Sequence, residues 1–83
     1  MERTRTKLRM GLDNEALEDF NSIIEREPNN ADLYVNRGIV KEKMGDFKGA
    51  FEDYTRASAL DPDDIFNKQM VEDIKIKLKN IEL

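Results

Sequence analysis

Residues 31–64 read ADLYVNRGIVKEKMGDFKGAFEDYTRASALDPDD, and this stretch decides the fold. No proline interrupts 31–44 or 46–60, and each is long enough for three to four helical turns. Gly45-Asp46 separates them, with glycine suited to stop one helix and aspartate to cap the next. In the second segment Phe47, Ala50, Phe51, Tyr54, Ala57 and Leu60 fall on a single apolar stripe. Leu60-Asp61-Pro62-Asp63-Asp64 ends the pair, because the residue before a proline is pushed out of helical angles. The unit is therefore helix, tight turn, helix, proline turn, with the Asp pair free to cap whatever follows.

The same unit recurs upstream. A gapless shift of 34 residues aligns Arg3 with Arg37, Lys7 with Lys41, Met10 with Met44 and Gly11 with Gly45. It also aligns Ala16 with Ala50, Glu18 with Glu52, Asp19 with Asp53 and Pro28 with Pro62. These are eight identities in thirty pairs, where unrelated sequence of ordinary composition gives about two. Phe20/Tyr54, Arg9/Lys43 and Glu27/Asp61 add conservative pairs.

Residues 31–64 resemble a tetratricopeptide repeat, whose pattern is W-x2-L-G-x2-Y, then A-x3-F, then P. Tyr34 stands for the Trp, Gly38 for the Gly, Ala50 and Tyr54 for A-x3-F, and Pro62 for the Pro; the Gly45 turn is also typical. Residues 1–30 resemble a second copy lacking its first few residues, with Gly11, Ala16, Phe20 and Pro28 in register. The resemblance implies an all-α fold of antiparallel helix-turn-helix repeats stacked as a short right-handed superhelix. Gly38 and Ala50 then lie where the helices of one repeat cross, with Tyr34, Tyr54 and Phe47 filling the space around them. Arg37 and Lys41 depart from the family's Leu and aromatic, and Arg3 and Lys7 repeat both departures. The expected role is packing by their aliphatic stems with the heads in water; the alternative is direct ligand contact.

Residues 65–83 read as a capping helix, with Val71, Ile74, Leu78 and Ile81 on one seam and Lys68, Glu72, Lys75 and Lys79 off it. About five helices are expected, near 1–10, 13–27, 31–44, 47–60 and 65–81. They form one domain made of a first repeat (1–30), a second repeat (31–64) and a cap (65–83). Arg3-Thr4-Arg5-Thr6-Lys7 alternates with period two, which in isolation suggests a strand. The repeat register overrides it, with fraying expected there.

Composition excludes much chemistry. The 83 residues contain no Cys or His, so there is no thiol nucleophile, histidine base or His/Cys metal ligand. Asp61, Asp63 and Asp64 lack the spacing and distal Glu of a calcium loop. Glu15, Glu18, Asp19, Glu52 and Asp53 read as a solvated face on the second helices. No enzyme activity, cofactor or metal is expected. No apolar run approaches the ~20 residues of a membrane span, no signal peptide is visible, and a cytoplasmic location is expected.

The net charge of −4 hides a division. The first helices of the two repeats (1–11 and 31–44) carry seven cations against three acids, net +4, and the second helices carry three cations against ten acids, net −7. In the resembled family the first helices line a concave groove. The resemblance thus implies a basic groove, suited to an acidic or carboxylate-ended peptide and faced by Arg5, Arg9, Val35, Asn36, Ile39, Lys43, Phe66, Met70 and Asp73. Asn36 can donate to and accept from an extended peptide backbone at once. A subset of the family clamps the C-terminal carboxylate of heat-shock chaperones, but only Asn36 matches that clamp. Met1, Arg5, Phe66 and Met70 stand at its other positions, so a different ligand is implied.

The leading expectation is a protein–protein interaction scaffold that holds a peptide or partner segment. The alternatives are a self-association element, using apolar surface at Leu12, Ile23 and Ile24, or an excised piece of a larger scaffold. Nucleic-acid binding through Arg3, Arg5, Lys7 and Arg9 is disfavoured by a pI near 4.8 and by a basic run without interleaved aromatics.

Overall fold

The helix boundaries follow from local chemistry. In the computed structural model, which describes the backbone of residues 2–82 and the side chains of residues 11–80, the described residues form four helices and no strand. These are α1 (Glu2–Arg26), α2 (Ala31–Lys43), α3 (Phe47–Leu60) and α4 (Ile65–Glu82). Asn30 caps α2, its side chain accepting from the Asp32 N–H at 3.1 Å. Asp64, one repeat period later, does the same for α4 by accepting from the Phe66 N–H at 2.9 Å. Between α2 and α3 the chain turns at Gly45, whose φ of +86° is strained for any residue with a Cβ. Asp46 then caps α3, accepting from the Gly49 N–H at 2.9 Å.

The all-α architecture stands, with four helices where five were expected. Residues 3–7 are helical, so the repeat register prevails over the two-residue alternation. The difference lies at 11–13, where α1 runs on without a break. The first repeat keeps the turn glycine as Gly11 but places Leu12 where Asp46 provides the cap. Leucine has no side-chain oxygen for the next helix and favours continuing the one in progress. Residues 1–30 therefore lack the hairpin expected of them, and Gly11 lies inside a helix.

Ala50, Tyr54 and Ile74 form the core, with Ile39, Phe47, Phe51, Met70 and Val71 packed around it. The cap's seam is seated as expected: Ile74 is buried, and Val71 and Leu78 are half-buried. Ile81 lies outside the described side chains. Tyr34 is buried and donates its hydroxyl to the Pro28 carbonyl at 2.7 Å, tying α2 to the turn that precedes it. No described helix is long and apolar enough to cross a membrane.

Candidate functional site: a cleft between α2 and α4

α4 presents two faces. One carries Val71 and Ile74 into the core, with Leu78 half-buried; the other carries Phe66, Gln69, Asp73, Ile76 and Lys77 along a cleft opposite α2, with Met70 touching both. A cavity of about 500 Å³ lies along this cleft, with Glu42 and Tyr54 at its far wall. A second of about 370 Å³ adjoins it, lined by Ile39, Lys43 and Phe47 and sharing Glu42, Tyr54, Met70 and Lys77. Both lie in the range of ligand pockets. Phe66 and Ile76 are 67% and 61% exposed, so large apolar side chains stand in water at the mouth.

The polar groups of the cleft are tied to one another. Lys77 reaches from α4 to an ion pair with Glu42 on α2, and its ammonium lies 5.9 Å from the centre of the Phe47 ring. Tyr54 donates to the other Glu42 oxygen at 2.8 Å. Burial disfavours the Glu42 charge, but the hydrogen bonds from Lys77 and Tyr54 outweigh it and hold the carboxyl below its usual range. Burial, reinforced by the Glu42 hydrogen bond and charge, pushes the Tyr54 hydroxyl far above its usual value and keeps it a donor. A carboxylate whose pKa falls on folding stabilises the fold above the unfolded value of 4.5. That contribution is lost as the pH drops through the lower, folded value. Glu42→Gln should thus be less stable than the parent at pH 7 by about 0.5–1 kcal/mol, since the pair is partly exposed. Denaturant titrations should show the gap closing at acid pH, whereas an equal gap down to pH 2 would mean that the Glu42 charge contributes nothing.

Arg37 and Lys41 lie outside this cleft's lining, and their half-buried heads are paired with a carboxylate and not left to water alone or to a ligand. Arg37 donates from both Nε (2.9 Å) and Nη2 (2.6 Å) to the two oxygens of Asp53, and Lys41 pairs with the same carboxylate at 3.2 Å. The remaining Arg37 nitrogen, Nη1, donates to Asn21 on α1 at 2.8 Å, so one guanidinium joins three helices. The hydrogen bond to Asp53 raises the Arg37 pKa despite burial. Asp53 is 3% exposed, which corrects the reading of this residue as part of a solvated back; Glu15, Glu18, Asp19 and Glu52 are exposed as expected. The repeat brings Arg37 and Lys41 over the α3 carboxylate because all three occupy its helix crossing, beside Gly38.

This changes the electrostatics expected of the groove. Two of its seven cations are spent on Asp53, and the described cleft offers Lys43 and Lys77 against Glu42 and Asp73, an even balance. Of the residues expected to face the groove, Phe66, Met70 and Asp73 line the larger cavity, and Ile39, Lys43 and Met70 the smaller. Val35 is half-buried and Asn36 exposed, and neither lines these cavities. The side chains of Arg5 and Arg9 lie outside those described. Sequence reasoning missed Glu42, Phe47, Tyr54, Gln69, Ile76 and Lys77 as cleft residues. The spacing 66, 70, 73, 77 is one helical face and marks Lys77; nothing comparable marks Glu42.

Residues 31–64 match the model of the tetratricopeptide repeat family. No curated protein matches the chain.

Proposed function

We propose that this chain, a tetratricopeptide repeat protein through residues 31–64, holds a segment of another protein in the cleft between α2 and α4. Protein–protein interaction is the general business of the family. The observation that supports this particular cleft is its composition: exposed Phe66 and Ile76 at the mouth, Met70, Ile39 and Phe47 deeper, and Lys77 tied to Glu42. Such a surface takes an apolar anchor side chain, with hydrogen-bonding residues at the rim fixing its direction. The acidic peptide implied by charge counting draws little support from the described cleft, where Lys43 is the cation without an ion-pair partner. An aromatic or long aliphatic anchor is the favoured ligand feature. Asn36, exposed on α2 one turn before Ile39, would hold peptide backbone beyond the anchor.

Selection of peptides from a random display library, followed by chemical-shift mapping, tests this. Selected peptides should share a large apolar residue and bind with a dissociation constant of about 1–100 μM, because a short cleft buries limited area and must order its ligand. Phe66→Asp with Ile76→Asp changes only exposed side chains, so it should preserve the fold and weaken binding at least about ten-fold. Undiminished binding to that variant, or shifts centred on Glu18 and Glu52, would place the ligand elsewhere.

A further inference from the structure

On α3 the face that meets α2 is sealed: Ala50, Asp53 and Ala57 are 0%, 3% and 0% exposed. Their counterparts one period upstream are Ala16, Asp19 and Ile23 on α1. Here Asp19 and Ile23 are exposed, Ala16 is half-buried, and Leu12 on the same stripe is 64% exposed. The chain also contains what would seal this face. Arg3 and Lys7 are identical in register to Arg37 and Lys41, the two cations that hold Asp53. The charged trio is thus encoded twice, and the described residues assemble it once, at Asp53.

α1 cannot close its own face. At a rise of 1.5 Å per residue, a continuous helix sets Arg3 about 24 Å and Lys7 about 18 Å from Asp19 along the axis. The cap that would bend the chain back is missing at Leu12. A helix whose intramolecular hairpin has opened into a rod presents its first half to a second copy, and twofold exchange satisfies both copies at once.

We propose that two copies of this chain exchange residues 2–10. Each copy's N-terminal segment packs on Leu12, Ala16 and Ile23 of its partner, with Arg3 and Lys7 of one chain paired to Asp19 of the other. The occupant of the open α1 face is a second copy because the two charges that match Asp19, at the spacing used on Asp53, belong to this same chain. The exchange is independent of the α2–α4 cleft and leaves it open.

Sedimentation equilibrium on the full chain, with purified variants alone and mixed, tests the exchange. The parent should be dimeric. Asp19→Arg alone and Arg3→Glu/Lys7→Glu alone should each raise the dimer dissociation constant at least about ten-fold, by opposing like charges at both contacts. An equimolar mixture should recover the dimer, since one contact is then parental and the other charge-reversed. Asp19 is exposed, so its substitution leaves each copy folded. Leu12→Asp/Asp13→Phe, which rebuilds the Gly45-Asp46-Phe47 turn in the first repeat, should convert the dimer to a monomer of equal helicity. A parent that stays monomeric to millimolar concentration, variants that dimerise like the parent, or a mixture that recovers nothing would each overturn the exchange. The last result would place the trio within one chain.

Discussion

Gly38→Ala should lower the unfolding free energy by about 1–2 kcal/mol, and Gly38→Leu by about 3 kcal/mol or more. The direction opposes helix propensity, since alanine in a helix interior is favoured over glycine by up to about 1 kcal/mol. Packing decides the sign. A Cβ at position 38 would lie 2.6 Å from Cε1 and 2.9 Å from Cδ1 of Tyr54, and 3.2 Å from the Asp53 Cβ. The Tyr54 ring cannot swing aside, because it is 1% exposed and its hydroxyl is held by Glu42. Relief must come from moving α2 away from α3, which also stretches the Arg37–Asp53 contact. Leucine adds three more carbons at the same crossing. Gly11 supplies the control: nothing lies within 4 Å of the Cβ it would gain. Gly11→Ala should therefore be neutral or stabilising. Thermal melts in which Gly38→Leu unfolds with the parent would remove the close crossing of α2 and α3.

The contrast between those two glycines shows how far the residues could be read in advance. The boundaries of α2, α3 and α4 were legible to within about a residue because they rest on local signals: Asp46 and Asp64 as caps, Gly45 as a stop, and prolines at 28 and 62. Gly11 carried the same identity as Gly45 but not the same neighbour, and the neighbour decides. A turn needs both a residue that tolerates positive φ and a cap that starts the next helix, and Leu12 supplies no cap. In the cleft, Phe66, Met70 and Asp73 were implied by the family resemblance, and they line the larger cavity. The availability of the cations was not legible, since a formal charge count does not say which carboxylate each one faces. The clue lay in the repeat itself. Arg37, Lys41 and Asp53 all recur 34 residues away from their counterparts, and a purely solvated face has no need to preserve three charged residues together.

The trio leads to the second large effect. Asp53→Asn should destabilise the protein by about 2–4 kcal/mol although it changes neither shape nor volume. Both Asp53 oxygens accept: Oδ1 from Arg37 Nη2, and Oδ2 from Arg37 Nε and from Lys41. An amide keeps one acceptor and must aim its NH2 at a nitrogen that also donates, whichever way it flips. Arg37 and Lys41 then keep two positive charges over a buried neutral group, with side chains only 18% and 21% exposed. Arg37→Lys should cost nearly as much, because an ammonium cannot make the two parallel bonds to the carboxylate or reach Asn21 at the same time. Replacing both members, Arg37→Met with Asp53→Leu, should recover part of the loss, since an apolar pair leaves no unmatched charge behind. Lys41 can turn its head to water in that background. Urea titrations of the parent, Arg37→Met, Asp53→Leu and the double replacement complete a cycle that gives the interaction energy. If Asp53→Asn and the double replacement were equally unstable, the defect would lie in packing at the crossing, and the charge of Asp53 would not be what holds α2 to α3.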